Sequence, residues 1–322
     1  MSTTTIFGGT WTVLKNSFRG FVTDKVPKLS GSLSYYMIFS MGPLLLIIIT
    51  FSSIFFRREA IEGGIYQQLE SFTGSDTAIQ LQQIIKNASL SGKTTIATII
   101  GIITLVIGAT SVFAEMQDSI NMIWGVKAKP KKNWLKFVKD RVMSFSIIIS
   151  LSFLLLVSLG ISALIESFGH YLKERFPDVT INIFYMVNLL ITIAITSFIF
   201  GIVFKVLPDA EIRWKDVLAG ALVTTILFLL GKFGISFYIS KTSVGSTYGP
   251  AGSLIILVVW IYYSSMILYF GAEFTKYYAL QYGAPILPSK FAVTVEQVET
   301  EKGKISIQQN EQVKDAKMSR QK

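Results

Sequence analysis

Two ionisable side chains sit well inside the most apolar stretches of this sequence: Lys232 in the run 217–240 and Glu273 in the run 252–278. Each run exceeds the ~20 residues that a helix rising ~1.5 Å per residue needs to cross a ~30 Å hydrocarbon core. An ionised group in lipid costs about 2.5–3.5 kcal/mol on insertion scales, so it normally faces protein or water and marks a candidate functional site. A hydrophilic hinge, LPDAEIRWKDVLAG from Leu207, precedes the first run, and a glycine-rich turn, VGSTYGPAGS at 244–253, joins the two. The pair reads as a transmembrane helical hairpin around which the rest of the chain is organised.

Helical spacing collects polar residues around those charges. Tyr262, Ser265, Tyr269 and Glu273 share one face of the second arm, and Thr225, Lys232 and Ser236 share one face of the first. With Ser32, Tyr36 and Ser40 on an earlier helix, and with Glu115, they are candidates to line a polar cavity that binds substrate. The competing reading is packing. Ser, Thr and Tyr in membrane helices also bond back to a carbonyl of their own helix or across a helix contact. For Glu273 that reading supplies a cationic partner at the inner interface, Arg141, Lys205 or Arg213; for Lys232 it has the long stem snorkel outward. By helix rise, Glu273 is about 5 Å from the end of its span and Lys232 about 24 Å along its own, so the two are not expected to pair.

The turn is a second candidate. Pro250 suits a first helical position, where its missing N–H costs nothing, and the glycines permit close backbone approach. Gly249, Gly252 and Ser253 would then present free N–H groups at a helix N-terminus, which can hold an anion. A plain tight turn is the alternative.

Composition limits what else the chain can be. Only 16% of its 322 residues are charged, and mean hydropathy is +0.52 with the apolar residues in long blocks, which describes a polytopic membrane protein rather than a soluble one. There is no cysteine and one histidine, His170, so disulfides, thiolate chemistry and multi-histidine metal sites are excluded. No cofactor and no metal are expected. The net charge of +10 would suggest nucleic acid in a soluble protein, but here the cations lie between apolar blocks, where they face anionic lipid. Gly92-Lys93-Thr94 mimics the end of a phosphate-binding loop, yet Asn87 stands where that motif needs glycine. No cleavable signal peptide is expected, because the N-terminus lacks a basic segment followed by a short apolar one.

The hydropathy pattern implies an all-α membrane protein with six spans, at about 32–56, 94–113, 142–165, 184–206, 217–240 and 252–278. Gly42 and Pro43 interrupt the first span and favour a kink. Residues 1–31 form a cytoplasmic segment in which Trp11, Leu14, Phe18 and Phe21 make the apolar face of an amphipathic helix, with Lys15 and Arg19 off that face. Residues 57–93 read as two short amphipathic helices, 125–141 as a basic linker, and 281–322 as a disordered cytoplasmic tail. Of the 30 Lys and Arg, 22 lie in segments 1–31, 114–141, 205–216 and 276–322, and 7 in the alternate loops 57–93, 166–183 and 241–251. The positive-inside rule then places both termini in the cytoplasm.

These residues also carry a resemblance. The stretches LSGSLSYYMIFSMGPLLLIII at 29–49, LPDAEIRWKDVLAGAL at the hinge, GKFGISFYI in span five and STYGPAGSLIILVVWIYYSSMILYFGAEFTKYYA resemble the YihY/virulence factor BrkB family of bacterial inner-membrane proteins. Similarity covers residues 10–280; Pro250 departs from it, where a small residue such as Ala is expected. The resemblance implies a six-helix inner-membrane protein, with transport of lipids or lipid-linked molecules the usual suggestion for the family. Some members carry the legacy label ribonuclease BN. Phosphodiester hydrolysis needs a metal cluster or an acid–base pair beside a phosphate-binding surface, and this sequence supplies neither.

Two functions follow from different classes. One is a transporter or flippase that moves an anionic or lipid-like small molecule through a polar cavity. The other is a non-transporting envelope scaffold that binds partners through residues 57–93 and the tail. Membrane lipids are the expected partners and nucleic acid is not. Neither the substrate, the energy source nor an oligomeric state is specified by these residues.

Overall fold

Long unbroken helices follow directly from apolar runs without internal turn residues. The computed structural model describes residues 3–52, 95–128, 177–241, 250–289 and 292–295, together with helical residues at 62–66, 70, 78–79 and 82–83. In it, α1 is Thr3–Thr23, α2 Val26–Ser52, α3 Thr95–Ile123, α4 Pro177–Val206, α5 Trp214–Lys241 and α6 Pro250–Tyr282. Among the described residues, windows of α4, α5 and α6 are long and apolar enough to cross a membrane: Leu189–Val206, Trp214–Ile235 and Leu254–Tyr282. Helices α2 and α3 have 27 and 29 residues, which at ~1.5 Å per residue is about 40 Å each. The chain stays helical through Gly42 and Pro43. The third expected span, 142–165, most of the 57–93 segment, most of the basic linker and residues 296–322 lie outside the described residues.

Helix α6 is the hub. It packs against α1, α2, α3 and α5, while α2 also packs on α3 and α4 on α5. The core sits at the end of the bundle where α3 and α6 terminate, with Ile120, Phe204, Leu207, Val217 and Tyr269 all nearly inaccessible. The opposite faces are apolar and open, as at Leu190, Leu230, Phe233 and Phe237, a pattern that water does not favour and lipid does.

Local signals explain the ends. Asp216 lies in the first turn of α5, where an acid complements the helix dipole. Gly125, with φ of 66°, follows α3 in the left-handed conformation common after helix ends. Lys25, with φ of 55°, makes the turn between α1 and α2 in the same conformation, although it is not glycine.

The chain is not purely helical. Four short strands, β1 (Val126–Ala128), β2 (Ala210–Glu211), β3 (Leu287–Pro288) and β4 (Ala292–Thr294), form two antiparallel pairs, β1 with β4 and β2 with β3. The segment read from sequence as the start of a loose tail therefore folds back over the linker and the hinge. Pro285 and Pro288 prevent α6 from continuing, and the extended chain completes its hydrogen bonds on those two segments. Ser289 N–H donates to the Asp209 carbonyl (2.9 Å), and Val295 N–H to that of Gly125 (2.7 Å).

Candidate functional site

Glu273 and Tyr269 lie one turn apart on α6, and both are wholly buried. Neither carboxylate oxygen of Glu273, nor the Tyr269 hydroxyl, has a hydrogen-bond partner. Tyr269 faces Ser119 of α3, with the carboxylates of Glu115 and Asp118 nearby, but completes no bond. Most buried polar groups are satisfied, so two orphans on one helix face need an explanation.

Three elements position Glu273. Helix α6 supplies Lys276 on the same face, with Nζ 3.7 Å from Glu273 Oε2. The end of α1 supplies Gly20 and Asp24. Gly20 is where the carboxylate lands, since a Cβ there would sit 2.5 Å from Oε2 and 2.9 Å from the Tyr277 ring. Asp24 Oδ2 is 3.3 Å from Lys276 Nζ. Helix α3 contributes its last turn: Lys276 Nζ donates to the Ile123 carbonyl at 2.6 Å, and the Trp124 indole N–H donates to the Ala272 carbonyl at 3.0 Å. The result is one ammonium between two carboxylates, with the more deeply buried carboxylate reaching that ammonium only at ion-pair distance, 3.7 Å.

This replaces the partners expected for Glu273. Lys205 donates instead to the Ile212 carbonyl and lies 5.9 Å from the centre of the Trp214 ring. Arg213 is exposed, and Arg141 lies outside the described residues. Helical geometry puts Lys276 three residues on, over the same face, while the hinge cations stay at the hinge.

Other members of the polar stripes are packed or dispersed. Thr225 Oγ1 donates to the Ala221 carbonyl (2.8 Å) and accepts from Ser197 Oγ (3.0 Å), and Ser265 Oγ donates to the Ile261 carbonyl (2.8 Å). Tyr262 is half-buried, Glu115 is half-buried on the Tyr269 side, and Tyr36 is exposed beside Tyr35. Met37 packs against Leu257 and Ile261, so Tyr36 stands about three turns, ~18 Å, from the level of Glu273. Lys232 is half-buried on α5 next to Gly231, against which the Tyr263 ring packs; Tyr263 is ten residues, about 15 Å, along α6 from Glu273. The two membrane charges thus belong to separate environments, as their depths imply. The side chains of Ser236 and Ser253, and residue Gly249, lie outside the described residues, while Gly252 is buried in the first turn of α6 and Pro250 opens that helix.

Sequence reasoning missed three features. The first is the docking face of α1, made of Val13, Ser17 and Gly20, which are buried while Trp11, Leu14, Phe18 and Val22 stay exposed. Phe21, grouped by helical spacing with Trp11, Leu14 and Phe18, instead turns in toward Phe270 (6.1 Å, edge-on). The second is the hinge lock: Asn121 of α3 exchanges two hydrogen bonds with Asp209, at 3.0 and 2.8 Å. The third is the crossing of α5 and α6. There Gly220 receives Thr275, Gly271 receives Thr224, and each threonine bonds its own helix at 2.7 Å. That feature had a legible signal, Gly-x-x-x-Thr on both arms, of the small-xxx-small kind.

Comparison with known proteins agrees with this membrane architecture. The family model described as "Virulence factor BrkB" matches residues 17–290. A "UPF0761 membrane protein" of Tolumonas auensis is 28% identical over 261 residues, covering 78% of this chain and 80% of that one. Another, of Photobacterium profundum, is 26% identical over 278 residues, covering 82% and 81%. A longer one from Saccharophagus degradans is 24% identical over 261 residues, and the match spans 58% of its length. No solved structure matches. The matched region runs from α1 to β3 and includes Gly20, Asp24, Glu273 and Lys276, and the chain is a membrane protein of the virulence factor BrkB family.

Proposed function

We propose that this protein is a multi-pass transporter or flippase of the bacterial inner membrane, with six spans and cytoplasmic termini, that moves an anionic or lipid-like molecule between its helices. One observation carries the reading: Glu273 is wholly buried within a candidate span, yet neither oxygen is hydrogen-bonded. A packing role would have filled that position with a leucine at no desolvation cost, because a buried ion pair seldom outweighs an apolar substitute. A group retained against that cost fits a site whose surroundings change during a cycle. Lys276 and Asp24 hold one end of the site at the α1–α2 turn, and Lys232 supplies a second intramembrane cation farther along the hairpin.

Transport is tested in proteoliposomes carrying a fluorescent anionic phospholipid, NBD-phosphatidylglycerol, with dithionite quenching of the outer leaflet. The wild-type chain is expected to raise the quenched fraction above that of empty vesicles, and Glu273→Gln and Lys232→Met to abolish the increase while inserting normally. Equal quenching with and without wild-type protein removes lipid movement from the proposal. Topology is tested separately: reporter fusions after residue 90, 172 or 246 should read external, and those after 132, 210 or 300 cytoplasmic. A cytoplasmic reading after residue 90 would break the six-span arrangement.

A further inference from the structure

The Glu273 site holds two carboxylates and one ammonium in a nearly dry setting. Lys276 Nζ is shared by Asp24 (3.3 Å) and Glu273 (3.7 Å), and its shortest contact is with neither but with the Ile123 carbonyl. Asp24 keeps about a quarter of its side chain exposed, whereas Glu273 keeps none. One ammonium neutralises one carboxylate; the other, wholly buried if it is Glu273, reaches its lowest energy by holding a proton. Among the described residues the neighbouring elements add no second cation. Toward this face α3 brings Glu115 and Asp118, both acidic and nearest Tyr269. The α1–α2 turn brings Asp24, while Arg19 of α1 and Lys28 of α2 are exposed. Besides Lys276, α6 brings Tyr277, whose ring lies 5.3 Å from Lys276 Nζ and also borders Gly20.

On the α1 side the carboxyl is covered by a small residue. Gly20 lies directly against Glu273, so a modest displacement of α1 would open the carboxyl to water at the level of the α1–α2 turn. The exposed face of α1, Trp11, Leu14, Phe18 and Val22 with Lys15 and Arg19, places this helix where lipid and head groups can move it.

We propose that Glu273 is a reversible proton-binding site gated by the packing of α1 on α6. Its carboxylate takes a proton from water when α1 is displaced, retains it as a neutral carboxyl when Gly20 closes over it, and returns it to water on reopening. No other bond is made or broken. The proton's role as coupling ion rests on the transporter reading; the binding site itself does not.

The test uses the full-length chain in nanodiscs of phosphatidylethanolamine and phosphatidylglycerol, read by the infrared carbonyl band of un-ionised carboxyl groups. Across about pH 5 to 9, the range open to buried carboxyls, the wild type should show a component that fades as pH rises and shifts in heavy water. Glu273→Gln, which copies the neutral form, should lack that component while keeping its thermal midpoint. Asp24→Asn should also lose it, because Lys276 then serves Glu273 alone, and this second variant decides the matter if Glu273→Gln misfolds. A component that survives Glu273→Gln, or is unchanged by Asp24→Asn, overturns the site. In the NBD-phosphatidylglycerol vesicles, an imposed pH gradient should change the wild-type rate and leave Asp24→Asn insensitive. A titrating Glu273 without any lipid movement would remove lipid from the transporter reading and leave the proton site standing. Lipid movement without a titrating Glu273 would do the reverse.

Discussion

Helix α6 makes two contacts through glycine, and they differ in what fills the gap. Toward α5, Gly220 and Gly271 each receive a threonine whose hydroxyl is already bonded within its own helix, so the crossing is close and leaves no polar demand. Toward α1, Gly20 receives the carboxyl of Glu273, which makes no hydrogen bond and meets Lys276 only at 3.7 Å. In lipid, where apolar burial gives helices little reason to associate, small residues and satisfied hydroxyls are what hold them together. The α5–α6 crossing therefore reads as a fixed joint and the α1–α6 contact as one that can open, because the two threonines of the first are already bonded and the second stores a desolvated acid.

Substitutions can break or sharpen this contrast. The largest effect is expected for Lys276→Met, which strands Asp24 and Glu273 together without a cation. Loss of one partner of a buried pair costs about 3–5 kcal/mol, and partial exposure of Lys276 and Asp24 puts this case at the lower end, read as a depressed thermal midpoint in nanodiscs. Adding Glu273→Gln should restore much of that loss, and an unrescued double variant would mean that the carboxyl is not the source of the strain.

Next is Gly271→Ala, whose Cβ would collide with Thr224 Oγ1 and approach the Phe204 ring at 3.0 Å. Overpacking of this kind costs about 1–3 kcal/mol. Gly20→Ala should cost less, about 1 kcal/mol, because the clash is with the far end of a flexible glutamate. It should nonetheless disturb lipid movement more than Gly271→Ala does at matched stability. Equal stability losses at both glycines would erase the distinction between fixed joint and opening contact. Thr275→Val, which keeps the shape and removes only a bond to its own helix, should change stability by no more than about 0.5 kcal/mol.

One substitution is expected to give a small gain. Lys25 adopts a left-handed backbone that costs a non-glycine residue about 1 kcal/mol, so Lys25→Gly should raise the thermal midpoint slightly. If it lowers the midpoint instead, the α1–α2 turn derives more from the lysine side chain than from its backbone.

How the site was legible follows from the same residues. Glu273 stood out because an acid inside an apolar run is costly wherever the run ends up, and Lys232 stood out for the same reason. Tyr269 was legible as a member of its stripe, since helical spacing alone places it one turn from Glu273. Thr225 and Ser265 share the same helix faces, and nothing local separates a hydroxyl that lines a path from one that bonds the preceding turn. Asp24, Gly20 and Lys276 were passed over: a glycine and an acid near a helix end look like ordinary punctuation.

What the sequence by itself determined was the membrane class, the long helices and the position of each charge along its helix, because hydropathy and helical period are properties of neighbouring residues. The helices begin and end close to the expected spans where they are described, as with α5 at Trp214–Lys241 and α6 at Pro250–Tyr282. Only the tertiary structure decided that Glu273 meets Gly20 rather than a hinge cation. It alone decided, too, that residues 287–288 and 292–294 pair with the hinge and the linker instead of trailing away. Those outcomes join positions as many as 253 residues apart, Gly20 to Glu273. They are settled by which helix faces fit together and which backbone groups still need partners, and no local pattern along the chain encodes either.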